Sequence, residues 1–207
     1  MEFRLIYKGY LPSANERGKN LRLATHNIRR TFHQQLAELW KREIQTLGNM
    51  SFTENPDFPK QSLFEPETIA EHHKIANQAN HIYRFVPLVG QRYAISCSLD
   101  ILFLRRDAPG GLLKHGGDID NRVATLFDGL RIPGTSELPA DEGPSATEDP
   151  MFCLLEDDKF VTGLTVSTDR LLMPIDPQSR EDPHYVMLIV GVKTVVFNPL
   201  FAPWKFW

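Results

Sequence analysis

Lys114-His115-Gly116-Gly117-Asp118-Ile119-Asp120-Asn121 closes a glycine-rich loop and opens a helix. In an extended segment residues two apart point to the same side, so Asp118 and Asp120 would present two carboxylates to one point. Directly after them Val123, Leu126, Phe127 and Leu130 recur at three-to-four spacing, which predicts a helix over 121–131 with an apolar inward stripe. Two converging carboxylates suit a hard cation. Mg²⁺ takes oxygen ligands and keeps several waters, so two or three carboxylates plus a substrate phosphate make a sufficient site. Glu156-Asp157-Asp158 offers further ligands just ahead of a predicted strand, where the chain could return to the helix N-terminus, whose dipole favours anions. On spacing alone the same acids read equally well as helix caps and a solvated turn.

Ahead of this stretch, residues 2–8 alternate as a first strand, and Pro12, Ser13 and Asn15 mark an exposed loop. Ile28, Phe32, Leu36, Leu39, Trp40, Ile44 and Leu47 predict a helix from Thr25, as N-cap, to Leu47, with Gly48 past its end. Arg22, His26, Arg29, Arg30 and His33 form a basic stripe along it, which could follow phosphates or be an ordinary solvated face. Residues 49–65 read as a connecting loop and Pro66 to Ala79 as a short helix. Within it, Glu71, His72 and His73 cannot chelate as an i, i+4 pair would, because adjacent residues point about 100° apart.

Residues 82–89 and 94–105 read as two strands joined by a hairpin turn at Gly90 to Arg92. Residues 132–150, with four prolines, read as an exposed excursion. Strands at 160–172 and 184–197 finish the fold, the last so apolar that both faces are expected to be buried. The tail from Pro199 carries Phe201, Trp204, Phe206 and Trp207, too many aromatics to lack a covering surface.

The chain has 207 residues and a net charge of −3, unevenly spread. Residues 1–114 hold 16 Lys/Arg against 11 Asp/Glu, and residues 115–207 hold 7 against 15. One surface tracking phosphates and another concentrating carboxylates would give this asymmetry, as would solvated acidic loops. Cys97 and Cys153 are expected as buried free thiols. No apolar run reaches membrane-spanning length and Met1-Glu2-Phe3-Arg4 is unlike a secretory leader, so a cytoplasmic protein with no membrane partner is expected.

Asp118-Ile119-Asp120-Asn121, then Leu126-Phe127-Asp128-Gly129-Leu130, then Asp157-Asp158-Lys159-Phe160-Val161 resembles the D-[LI]-D-N…D-A-L…D-D-x-x-V signature of RusA-like endodeoxyribonucleases, the Holliday-junction resolvases. Leu11-Pro12-Ser13-Ala14-Asn15 is similar to the loop that follows the family's first strand. The resemblance covers residues 1–30 weakly and 82–198 better. It implies an α+β fold, a small mixed β-sheet packed with helices, in a single domain over 1–207 with insertions at 49–80 and 132–150. It further implies a homodimer that cuts four-way or other branched DNA with Mg²⁺ or Mn²⁺ in recombination or repair. Asp118, Asp120 and Asp158 would be the catalytic metal ligands, with Asp157 a fourth ligand and Asn121 beside them. Asp128, eight residues after Asp120 on the same helix side, reads either as an outer partner near the metal or as a polar surface residue.

Such a metal would activate water against a phosphodiester and leave 5′-phosphate and 3′-hydroxyl ends. Phosphates would be held by Arg22, Arg29, Arg30, Arg105, Arg106, Lys114, Arg122 and Lys159. One departure matters: where the family carries a Lys one turn into the helix, this chain has Ala124. A DNA-binding or regulatory protein that kept the fold and lost turnover is therefore the alternative.

Overall fold

The structure is a computed structural model and describes residues 1–13, 15, 18–44, 65–106, 119–172 and 184–197. The elements are β1 (Glu2–Tyr10), α1 (Lys19–Leu39, continued by a π-helical turn, Trp40–Ile44), α2 (Pro66–Glu71), β2 (Lys74–Ala76), β3 (Ile82–Val89), β4 (Ile95–Arg105), α3 (Ile119–Leu130), β5 (Met151–Leu155), β6 (Val161–Arg170) and β7 (Tyr185–Val196). They form a mixed α+β architecture with two mixed sheets rather than one, ordered β1-β7-β4-β6 and β2-β3-β5. In the larger sheet β7 is antiparallel to β1 and β4, and β6 is parallel to β4.

The expected hairpin between β3 and β4 does not form. A single bridge, Gly90 to Ile95, joins them before they part into different sheets. Pro87 has no N–H to offer a second ladder, and at its level β3 is bonded to β5 alone. Gly90 also lies close against Glu156, since a Cβ there would stand 2.8 Å from Glu156 Cβ.

Both sheets share one core. Ile28, Phe32, Leu36 and Trp40 of α1 and Leu126 and Leu130 of α3 pack with Leu99, Ile101 and Phe103 of β4 and with β7. β7 is buried on one face only: Val186, Leu188, Val190 and Val192 are enclosed, while Met187, Ile189 and Gly191 are half-exposed. Its apolar run reflects an inner position between two strands rather than two covered faces.

α1 begins six residues before the expected cap. Thr25 is not an end of the helix but a buried position in the α1–α3 contact, where its carbonyl lies 3.7 Å from the place a Gly129 Cβ would take. Leu47 and Gly48 lie outside the described residues. Ordinarily Gly→Ala inside a helix adds about 1 kcal/mol. At Gly129 a Cβ would stand 2.5 Å from Ile28 Cγ2 and 3.1 Å from Ile28 Cβ, both in a fully buried side chain. Gly129→Ala is accordingly expected to destabilise the fold by about 1–3 kcal/mol, the cost of overpacking, read as a lower denaturation midpoint at unchanged m.

α2 stops at Glu71, well short of Ala79. Asn77, which is buried, ends the following strand β2 by accepting the N–H groups of Ala79 (3.1 Å) and His81 (2.9 Å) on its side-chain oxygen, an Asx-type turn. Its amide nitrogen donates to the carbonyls of Pro139 and Glu142, both at 2.7 Å. Those bonds help to reverse the expectation for residues 132–150. This segment is packed down: Tyr83 Oη donates to Glu142 O (2.9 Å), His33 Nε2 bonds Thr147 O (2.8 Å), and Leu138 and Glu148 are buried.

The charge asymmetry is partly spent inside the molecule. Arg30 bonds Glu148 at 2.6 Å and lies 3.6 Å from Glu142, Arg84 bonds Asp149 at 2.6 Å, and Lys19 lies 3.7 Å from Asp141. Cations of the first half thus neutralise acids of the second. Cys97 and Cys153 are buried free thiols, as expected, and burial raises both well above the usual thiol range.

Candidate functional site

Asp118 and Lys114 lie outside the described residues, as do the tail aromatics. Asp120 sits exposed in the first turn of α3, and its Oδ1 accepts the Asn121 N–H at 2.8 Å. Asn121 in turn accepts the Thr125 hydroxyl on its carbonyl at 3.2 Å. Arg122, one step further, is completely buried. Its guanidinium donates to Leu11 O at the end of β1 and meets His184 Nδ1 at 3.0 Å, just ahead of β7. These bonds fasten the start of α3 to the end of the sheet where β1 finishes and β7 begins.

Asp157 and Asp158 stand elsewhere. Asp157 caps a 3₁₀ turn, Asp158–Phe160, by accepting Lys159 N–H at 3.0 Å, with Lys159 Nζ 3.8 Å away. The backbone N–H of Lys159 is the main cause that holds its carboxyl below the usual carboxylate range. Asp158 is exposed beside it. Phe160, stacked 6.3 Å from Phe197, anchors the turn, and β6 starts at Val161 opposite Cys97. Along β4, the steps from Cys97 to Leu104 cover about 23 Å. The acid pair is therefore set at the β4 start, while Asp120 is tied through Arg122 to the far end of the sheet. Among the described residues no three His, Cys, Asp or Glu side chains come together to hold a metal. Asp120, Asp157 and Asp158 are all described, so this trio does not form a ligand group within one chain.

Asp128 is committed to Arg131, at 2.6 Å, which also binds Glu137 at 2.7 Å. Burial is the leading cause that raises its carboxyl above the usual range. It braces the C-terminal end of α3, two turns from Asp120, rather than backing an Asp120 site.

The expected phosphate contacts divide. Arg29, Arg105 and Arg122 are buried and point inward, so they do not line a DNA-tracking face. Arg29 donates to Asp128 O at 2.7 Å and to His26 Nδ1 at 3.2 Å. Arg30 is held by Glu148 and Glu142. Arg22 is half-exposed, and Arg106 and Lys159 are exposed. The helical spacing of the basic stripe concealed this, because Ile28, Phe32 and Leu36 share α1 with Arg29 and the helix is buried over more than its apolar stripe. His26 and His33 are likewise buried. Burial is the main cause that lowers His33, and it drops His26 to about 3, aided by the charges of Arg29 and Arg30.

His33 was legible only as part of the stripe. It accepts Phe152 N–H on Nδ1 at 2.9 Å, which leaves the proton on Nε2 to be donated to Thr147 O. One neutral imidazole thus ties α1 to β5 and to the 132–150 segment. No helix of the described residues is long and apolar enough to cross a membrane. No protein-family model matches this chain, and no curated protein or solved structure matches it either.

Proposed function

We propose that this chain is a metal-dependent endodeoxyribonuclease that cuts four-way or other branched DNA, acting as a homodimer in recombination or repair. The observation that carries the reading is Asp120: it opens α3 with an exposed carboxylate that no cation neutralises among the contacts of the described residues. Asp118 precedes it by two residues, and the strand, motif, helix, acid pair and strand follow in the order of the RusA-like signature. Mg²⁺ or Mn²⁺, when bound, supplies a polarised water and neutralises charge on the phosphodiester.

The chain's own residues do the rest. Asp118 and Asp120 offer oxygen ligands, and the first N–H groups of α3 favour a phosphate beside them. Arg122 fixes the start of the helix from within, so the carboxylate does not wander. Arg22, Arg106, Lys159 and Lys114 offer phosphate contacts. Asp157 and Asp158, held away from Asp120 within one chain, are not ligands of the same ion in this reading.

A second reading has two observations in its favour: the three acids are not grouped, and Ala124 stands exposed where the resembled family has Lys. It is a DNA-binding or regulatory protein without turnover. Cleavage of a labelled synthetic four-way junction, beside duplex and forked controls, separates the two. The nuclease reading expects paired nicks with Mg²⁺ that vanish in EDTA. In Asp120→Asn they should fall by more than the roughly 10- to 100-fold that loss of an outer-shell partner costs. Binding without cutting, unchanged by Asp120→Asn, would overturn it. A gain of cutting in Ala124→Lys from an inactive parent would establish the second reading.

A further inference from the structure

β1 is an outer strand of the larger sheet, and its two sets of peptide groups have different fates. Odd-numbered residues face β7: Met1 O accepts Thr194 N–H at 3.0 Å, and Leu11 N–H donates to His184 O at 2.9 Å. Even-numbered residues face outward. At Ile6 both outward groups are taken by one side-chain amide, with Ile6 N–H donating to Gln35 Oε1 at 2.9 Å and Gln35 Nε2 donating to Ile6 O at 2.7 Å. That is the bonding a neighbouring strand's peptide unit would make, supplied by a carboxamide. Two residues on, Lys8 turns its N–H and C=O the same way, and among the described residues no bond is made to them.

Beside Lys8 runs a groove of about 440 Å³ between β1 and α1. Its helix wall carries Asn20, Leu23, Ala24, Asn27 and Thr31, uncharged side chains that include two carboxamides, and its strand wall runs from Tyr7 to Tyr10. Among the described residues Lys8 is the one charged side chain lining it, and no carboxylate does so. An open edge of this kind is a template for an added strand unless something blocks it. Here Gln35 takes both outward groups of Ile6 and Tyr7 Oη donates to Tyr10 O at 2.7 Å, which leaves the peptide groups of Lys8 between them.

We propose that this groove binds an extended segment of another polypeptide, uncharged or acidic, by strand addition to β1 at Lys8. Main-chain bonds would give the affinity, and the polar helix wall would select the side chains. The inference is independent of the nuclease reading.

The test is selection from a random-peptide library displayed on phage, with the intact chain as bait. Selected peptides are expected to slow hydrogen exchange of the Lys8 amide at least about tenfold. They should lose at least about tenfold in affinity for Lys8→Pro, which deletes an outward N–H and spares the β7 ladder. Lys8→Thr, which keeps the N–H, should still bind the uncharged peptides. If Lys8→Pro does not fold, Asn27→Arg, which fills the groove from the helix side, should give the same loss.

Failure to select any peptide would overturn the proposal, as would peptides that bind both variants as tightly as the parent chain. So would a Lys8 amide already protected in the free chain and released by removing residues 198–207, which would give the groove to the chain's own tail. A dimer dissolved by Lys8→Pro would give it to a second copy and overturn the proposal equally.

Discussion

Arg29→Ala is expected to cost about 3–5 kcal/mol of folding stability, the scale of a large buried side chain cut to Ala together with a buried acceptor left unsatisfied. Arg29 is 1% exposed and among the described residues reaches no carboxylate directly; its bonds go to Asp128 O and to His26 Nδ1. Asp128 O belongs to the last turn of α3, where carbonyls lack helical partners, and α3 has no basic residue of its own in that turn. The N–H that would ordinarily serve it, from Ile132, is turned to Leu155 O at 3.0 Å. A cation from α1 therefore caps α3, in favourable alignment with the helix dipole.

Burial lowers Arg29 to about 10, so it remains charged at neutral pH. Truncation would remove the cap, leave His26 Nδ1 without its donor and open a cavity in one step. Arg29→Met, which keeps most of the volume, is expected to lose only about 1–3 kcal/mol, the cost of the uncapped carbonyl. Urea denaturation of both variants checks this, and equal losses would show that the lost cap alone matters and the volume does not.

Acidification should destabilise the fold well before its carboxylates titrate. His26 falls from its ordinary 6.5 to about 3, chiefly through burial and then through Arg29 and Arg30, and His33 is lowered in the same direction. Below pH 6.5 the unfolded chain takes up these protons while the native state does not. Stability is therefore full above that pH and is lost as pH falls toward 3, at about 1.4 kcal/mol per pH unit for His26, with His33 adding loss in the same direction. For His26 alone the loss approaches about 5 kcal/mol at the acid end of the window.

Glu148 adds its share lower down. Burial opposes its ionisation, but Ser145 N–H and Arg30 outweigh it and hold its carboxyl below the usual range. Its contribution is present above the unfolded carboxylate pKa and disappears as pH falls through the folded one. Denaturant melts at pH 7.5, 6.5 and 5.5 isolate the histidine window. His26→Gln, which can still accept from Arg29, should flatten the slope by about one proton. An unchanged slope would mean that His26 takes up its proton in the folded state.

Chain periodicity by itself determined much of the molecule. The strands β1, β3, β4, β6 and β7 and the helix α3 stand within two or three residues of their expected places, because alternation and three-to-four spacing are local consequences of one face being buried. Asp120 at the head of α3 was equally legible, since a helix start is written in the few residues around it.

Only the tertiary structure decided how these pieces meet. Nothing in residues 82–105 separates a hairpin from two sheets until Pro87 is set beside β5 and a single bridge at Gly90 (Gly90 to Ile95) is left to join β3 and β4. The arginines of the basic stripe look alike in sequence, yet Arg29 caps a helix 99 residues away and Arg30 meets Glu148 across 118. The acids of 132–150 read as solvent-facing because their partners lie on α1 and β3. Asp120 and Asp157 share a signature without sharing a place. The physical reason is common to all of them: burial and pairing of a polar group depend on what folding brings against it, and that partner lies far along the chain.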